Sequence, residues 1–488
     1  MVLFTASQIA ALTEGTLHLH SDSDNAADVT GVSADSSGKV MATGVSGVSI
    51  DSRSTSPGDL FVCLKGERHD GHEFIQAAAQ KGAAGALITS PISELPPLPP
   101  NFFAIKVEDA TKALGQLAAF HRKRFQIPVV GVTGSVGKTT TKEITAALLG
   151  QKWQTLKNEG NYNNDLGLPL TLFKLDHSYG ACVLEMGMRG AGEIRKLTEI
   201  ANPCAGIITN VGETHIELLG SVAAIATAKR ELAEAIPADG LIALNADDPN
   251  VAAMAAHTAG KVIYFGMGND GIPLDFWAEN VEPLGLGGVR FNLKGAANAE
   301  LLVPIPGCHN VINALAAISI AWGLGVPADQ FAPGLMAYKG APHRLIMLQG
   351  DAGQLVIDDT YNANPASMRA VLRLLSETPC TGKRVAILGD MLELGSRAAE
   401  AHREVGFNAA AAGVQLLIAY GPLSGHVAEG ARSGGMEPNA IHALQNKELA
   451  ITKSLELTGS GDVVVIKGSR GMAMEEIVEA LTQNGRGK

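Results

Sequence analysis

The sequence predicts an α/β protein of three domains: a small N-terminal α/β domain, a central P-loop-type domain with a mostly parallel sheet, and a C-terminal Rossmann-like domain. Three observations lead there. The chain has 488 residues, more than one hydrophobic core supports, so it splits into several. Val129 to Leu149, VVGVTGSVGKTTTKEITAALL, reads as a buried strand, a glycine turn and a helix. After residue 340 the apolar runs QLVIDD, KRVAILGD, QLLIAYG and DVVVIKG alternate with helical patterns, the signature of a doubly wound sheet.

Composition narrows the class. A net charge of −11 with no basic stripe argues against duplex nucleic-acid binding. The five cysteines (63, 182, 204, 308 and 380) contain no CxxC pair, which fits reduced thiols and a cytoplasmic setting. The first residues, MVLFTASQIAALTEG, lack a basic leader and read as a short helix, and no apolar run reaches transmembrane length. Without a heptad or a long apolar stripe, a monomer is the default expectation.

The first domain is expected over residues 1–98. Ser21 to Gly44, rich in Ser, Asp, Ala and Gly, reads as a loop. It hides a near-duplication: Gly31-Val-Ser-Ala-Asp-Ser-Ser resembles Gly47-Val-Ser-Ile-Asp-Ser-Arg. Only the second copy carries an arginine and runs into PGDLFVCLKG, so Asp51, Ser52 and Arg53 form the functional copy, suited to an anionic ligand. A surface salt bridge at a turn is the competing reading. His69 and His72 line a turn before a helix, and the proline-rich Pro91 to Pro100 reads as a linker.

Residues 99–339 form the central domain. A helix from Ala110 to Arg124 leads into the glycine turn. Strict Walker A has glycine where Val132 stands; here Gly134 serves, giving T-G-x-x-G-K-T-T. Backbone N–H groups and the helix dipole meet at such a turn, and glycine lets an anion approach. Gly134, Ser135, Val136, Gly137, Lys138, Thr139 and Thr140 are therefore the phosphate-binding stretch, with Lys138 reaching terminal phosphate oxygens and the Thr139 hydroxyl suited to Mg²⁺. The loop 158–166 offers Asn161, Asn163, Asn164 and Asp165, for a polar substrate or for turns. Two strands then end on Glu185 and in the loop carrying His215. In an open parallel sheet ligands bind beyond the strand ends, so both are expected on the rim of the phosphate turn.

The helix SVAAIATAKRELAEAI starts at Ser221. Val222, Ile225, Leu232 and Ile236 set an apolar stripe, and Lys229 completes its spacing, with Arg230, Glu231 and Glu234 to the sides or outside. An inward lysine is costly unless paired or chemically altered; a lysine snorkelling at the stripe edge is the bland alternative. GLIALNADDP (240–249) is a strand and turn, and the alternating segment from Trp277 to Pro304 an antiparallel addition. Asn310 and Asn313 open the next helix, placed to read a base edge or to cap.

Residues 340–488 form the third domain. Its strand ends carry Asp358-Asp359, Asp390 and Lys467-Gly468-Ser469-Arg470, and Arg344 stands at its entry in APHR.

Taken together, the blocks DSRSTSPGDLFVCLKGERHDGHEF, GVTGSVGKTTTKE, GNYNNDLGLPLTL, VLEMG, ETH…AKRE, PGCHNVINALAA, PHR, DDTYNANPASM, LGDMLELG and VIKGSRGMAME resemble the Mur ligase family over essentially the whole chain. The resemblance implies a UDP-substrate domain, an ATPase domain and a domain for the incoming amino component. It implies ATP and two Mg²⁺ ions, with Thr139, Glu185, His215 and Lys229 as metal ligands, the lysine as a CO₂-derived carbamate. It implies nucleotide contacts from Asn310, Asn313, Arg344 and Asp359, and catalytic tasks for Lys138, His215, Lys229 and Arg344. Substrate contacts fall to Ser52, Arg53, Asn161, Asn164, Tyr361, Asn362 and Asn364. The reaction implied is amide formation through an acyl phosphate, with UDP-N-acetylmuramoyl-tripeptide and D-alanyl-D-alanine as partners. A family member adding a diamino acid would carry a DNPR block in its third domain; none occurs, and DDPN at 247–250 lies in the central one. Folylpolyglutamate synthase shares the ATPase core without this N-terminal block. A non-enzymatic nucleotide-gated module leaves Lys138, Glu185, His215 and Lys229 without a task.

Overall fold

The computed structural model describes residues 2–19, 28–29, 44–66, 69–95, 97–99, 101–212, 216–268 and 271–482. His215 and the first copy of the near-duplication lie outside the described residues. The chain forms two compact units, one of residues 1–131, 156–187 and 193–203, the other of residues 132–155, 188–192 and 204–488.

The first unit carries a six-stranded sheet in the spatial order Asp28–Val29, Thr16–Leu19, Phe103–Lys106, Gly85–Ile88, Asp59–Val62, Gly47–Ser49. Thr16–Leu19 runs antiparallel to its two neighbours, and the remaining pairs are parallel. DLFV and GALI are buried at every residue, as strands covered on both faces must be. The helix Ala6–Thr13 is held at its start by a capping box between Thr5 and Gln8. Asp109 caps the helix Ala110–Arg122 through the Thr111 and Lys112 N–H groups.

Two expectations change here. The sheet extends past residue 98, because Phe103–Lys106 is one of its inner strands. Pro91 to Pro100 is not an interdomain linker: Ile92, Leu95 and Leu98 pack onto the cluster of Phe61, Ile75 and Phe102, and Gln76 Nε2 donates to Pro97 O at 2.6 Å. Apolar residues between the prolines tie the segment to its own domain.

In the second unit the parallel strands Ala205–Ile208, Leu241–Asn245 and Lys261–Gly266 lie side by side. Phe276–Pro283 joins them, and Val289–Gly295 and Ala299–Val303 continue antiparallel, as the alternation of 277–304 predicts. The helix His309–Gly323 is buried on nearly all sides and packs on the helix Lys138–Leu149.

A further sheet in this unit runs Ile346–Gln349, Leu355–Asp358, Val463–Lys467, Arg384–Gly389, Leu416–Tyr420, Ile441–Leu444, parallel except for the first strand. Helices Pro365–Glu377, Ala398–Ala411 and Ser424–Ser433 cover one face, and Lys447–Leu457 and Glu475–Thr482 the other. The loops after Asp358 and after Lys467 therefore leave neighbouring strands toward opposite faces, opening the crevice in which such sheets bind ligands.

Candidate active site

The strand Val129–Thr133 is buried throughout and delivers the chain to the phosphate turn. Gly134 and Gly137 have φ of 151° and 86°. A Cβ on Gly134 would run into the Thr209 hydroxyl, and one on Gly137 into Asn313 Oδ1. The turn is braced by a residue the sequence reading passed over. Asn210 accepts from Val136 N–H through Oδ1 at 2.8 Å and donates from Nδ2 to Val136 O at 2.9 Å, while its own carbonyl takes Ser135 N–H at 2.9 Å. Thr209 Oγ1 adds a bond to Val136 O at 2.7 Å. The signal for Asn210 was a polar residue two positions after a fully buried strand.

The N–H groups of Ser135 and Val136 bond to Asn210 in this structure. A helix leaves the N–H groups of its first turn without internal acceptors, and the dipole favours negative charge there. Lys138 Nζ folds back to Gly134 O at 2.9 Å and Ser135 O at 3.2 Å.

Arg344 faces this turn. Its Nη2 donates to Thr139 Oγ1 at 3.1 Å, and its Cζ lies 4.2 Å from the Tyr361 ring centroid. Arg344 Nε is buried without a hydrogen-bond partner among the described residues. A glycine cradle, a helix start, a lysine and a buried guanidinium donor make a set that suits a nucleotide's phosphates.

Asp359 accepts from the buried Lys467 Nζ at 2.6 Å, and the same ammonium donates to Asn362 O at 2.7 Å. Burial depresses the Lys467 pKa, and the Asp359 charge works against that. Asn364 caps the helix Pro365–Glu377 through Ser367 N–H. Asn310 and Asn313 are buried and bond to each other at 2.9 Å; Asn310 Nδ2 donates to Pro306 O, and Thr141 Oγ1 to Asn313 Oδ1. Their first task is to support the turn from below.

Lys229 is 2% exposed, on the inward face of the helix Val222–Ala235 with Ile225, Ala228 and Leu232. Ser221 caps that helix through Ala224 N–H. Burial, and then the neighbouring Lys138 charge, hold the Lys229 pKa well below the usual lysine range. That shift favours the neutral amine, the form that reacts with CO₂. Glu231, expected to the side, is buried as well, because Oε1 takes Gly192 N–H at 2.7 Å.

In the first unit, Glu185 ends the buried strand Ala181–Glu185 and is itself buried. Asn163 Nδ2 donates to Glu185 Oε1 at 2.8 Å, and Asn158 clasps the Glu185 backbone at both N–H and C=O. Asn164 Oδ1 accepts from Gly167 N–H at 2.9 Å and so builds the following helix start; Asn161 is exposed. Arg53 forms a two-point ion pair with Asp51, at 3.0 and 2.7 Å, which holds the Asp51 carboxyl at about 2. Ser52 is half-buried beside it. Among the described residues no group of three or more His, Cys, Asp or Glu side chains gathers into a metal cluster.

A doubly wound sheet, a phosphate turn braced from a neighbouring strand end and an arginine brought to that turn define a nucleotide-dependent α/β protein. Family models match three stretches: the Mur ligase family catalytic domain at residues 44–122, the Mur ligase middle domain at 132–321 and the Mur ligase glutamate ligase domain at 343–470. The chain belongs to the Mur ligase family. It is 38% identical over 445 residues to the UDP-N-acetylmuramoyl-tripeptide–D-alanyl-D-alanine ligase of Bacillus subtilis, covering 91% of this chain and 94% of that one. Its fold matches MurF from Acinetobacter baumannii with a TM-score of 0.83 at 30% identity, over 98% of each chain. It matches the MurF ligase of Thermotoga maritima in complex with ADP with a TM-score of 0.74 at 27% identity, over 89% of this chain and 96% of that one.

Proposed function

We propose that this chain joins D-alanyl-D-alanine to UDP-N-acetylmuramoyl-tripeptide at the expense of ATP, giving ADP, phosphate and the UDP-muramoyl-pentapeptide precursor of peptidoglycan. The observation that carries this is the meeting of Arg344 with Thr139 at the phosphate turn, in a chain that spans nearly the whole length of relatives bearing that activity's name.

The terminal carboxylate of the tripeptide attacks the γ-phosphorus of ATP and expels ADP, leaving an acyl phosphate. The free amine of D-alanyl-D-alanine adds to the acyl carbon, and the tetrahedral intermediate collapses with loss of phosphate and a proton. The first step brings two anions together. Lys138 and Arg344 supply positive charge at the phosphate turn, and the helix start holds the phosphate chain. Excluding water matters because an acyl phosphate hydrolyses.

Mg²⁺ would offset further negative charge on the phosphates. The Thr139 hydroxyl and Lys229 as its carbamate would hold it in the second unit; Glu185 in the first unit and His215, outside the described residues, are the further ligands proposed from the sequence. All of these but the His215 imidazole are oxygen donors, which suit this hard cation, and the depressed Lys229 pKa supports carbamate formation. Asp359, Asn310 and Asn313 complete the nucleotide site. Ser52 and Arg53 serve the UDP substrate, with Asn161 and Asn164, while Asn362 and Asn364 border the dipeptide. We keep three domains as the reading of the chain, the third at 340–488, and start the central one after the Phe103–Lys106 strand, which belongs to the N-terminal sheet. No helix among the described residues is long and apolar enough to cross a membrane, and we place the enzyme in the cytoplasm.

The test is phosphate release with ATP, Mg²⁺ and UDP-muramoyl-tripeptide, comparing D-alanyl-D-alanine with diaminopimelate and lysine. Release that depends on the dipeptide supports the reading; release driven by a single diamino acid rejects it.

A further inference from the structure

Arg344 has a fixed backbone but a long side chain. His343 and Leu345, on either side of it, have φ of 58° and 50°, a region L residues enter only at a cost. The segment is pinned at three points: a bridge between Ala341 and Arg344, a His343 Nδ1 to Asp358 Oδ2 bond at 2.8 Å, and the Tyr361 N–H donating to His343 O at 3.1 Å. None of these restrains the guanidinium. Its bond to Thr139 fixes one nitrogen only. The Tyr361 ring lies under the fork, its centroid 4.2 Å from Cζ. Tyr361 stands on firm ground in turn, because Lys467 Nζ grips Asp359 and Asn362 on both sides of it in the same turn.

We propose that Tyr361 is a positioning residue for the phosphate chemistry: its ring holds the Arg344 guanidinium against the phosphate turn. That task replaces the dipeptide contact the sequence reading gave it. The proposal rests on Arg344 serving the nucleotide. A cation above a ring needs only the π face, so the phenolic oxygen is dispensable, whereas a dipeptide contact made through that oxygen is not.

The experiment is a double-mutant cycle on the full-length protein, with ATP and D-alanyl-D-alanine each varied. Tyr361→Leu is expected to lower kcat/KM for ATP about tenfold and to leave KM for the dipeptide within about twofold. Tyr361→Phe should stay within about twofold of wild type. In an Arg344→Ala background, Tyr361→Leu should add nothing further. The proposal is overturned if the dipeptide KM rises while the ATP parameters hold, if Phe is as poor as Leu, or if the two losses multiply. Calorimetric ADP affinity gives the same cycle without turnover, and Tyr361→Gln replaces the Leu variant should that fail to fold. A wild-type protein that released no phosphate with the dipeptide would reject the ligase reading instead, and the ADP cycle would still decide the role of Tyr361.

Discussion

Arg344 Nη2 donates to Thr139 Oγ1 at 3.1 Å, across 205 residues of sequence. The contact brings the entry of the Rossmann-like domain to the first turn of the helix that follows the glycine turn. Two stretches far apart in the sequence thus place their donors side by side. Removing the guanidinium takes away charge that matters most as the γ-phosphate is transferred. Arg344→Ala is expected to lower kcat about 10²- to 10³-fold. Arg344→Lys restores a point charge but neither the fork nor the stack on Tyr361, and recovers only part of that. Steady-state phosphate release measures both.

Lys229 gives a prediction for activity. Stripping CO₂ from the buffer should lower wild-type activity, and bicarbonate should restore it. Lys229→Ala should lose most activity, with bicarbonate partly replacing the missing anion. A mass increase of one CO₂ on wild type, absent in the variant, is the direct check; activity independent of Lys229 would reject the carbamate.

The same residue gives a prediction for stability. Its pKa in the folded chain is depressed, so between that value and the ordinary lysine value the unfolded chain binds the extra proton. Stability therefore rises with pH across that window, and the penalty disappears only above the unfolded value. In CO₂-free buffer, Lys229→Met should raise Tm at neutral pH, with a gain that shrinks toward the ordinary lysine pKa. Melts at three pH values test the sign.

The turn itself is vulnerable at Gly137 and Asn210. Alanine at Gly137 meets both a positive φ and Asn313 Oδ1, so Gly137→Ala should destabilise by more than about 1 kcal/mol and weaken ADP binding. Asn210→Ala leaves the Val136 N–H without its side-chain partner and the Val136 C=O with Thr209 Oγ1 alone, at about 1–3 kcal/mol. Denaturant melts and ADP calorimetry measure the two.

How much of this was legible in the sequence depended on where the cause lay. The glycine turn, the inward Lys229 and the strands LVID, RVAIL and VVVIK carry their reasons within a few residues: a φ only glycine tolerates, a helical stripe, an unbroken apolar run. The two edge strands Ile346–Gln349 and Ile441–Leu444 did not, because they are short and only partly buried. Asn210 carries only a weak signal, a polar residue just past a buried strand, because its task is to pair with Val136, which lies 74 residues away. The alternatives weighed for Arg53 and Asn164 turned on side-chain partners, which spacing alone does not reveal. Arg53 pairs with Asp51, and Asn164 builds a helix start.

The most direct measurement follows the oxygen atoms. With the terminal carboxylate of the UDP-muramoyl-tripeptide labelled with ¹⁸O, turnover with ATP and D-alanyl-D-alanine should place one labelled oxygen in each phosphate released and keep the other in the new amide. Unlabelled phosphate, or labelled phosphate formed without pentapeptide product, would contradict the acyl-phosphate ligase described here.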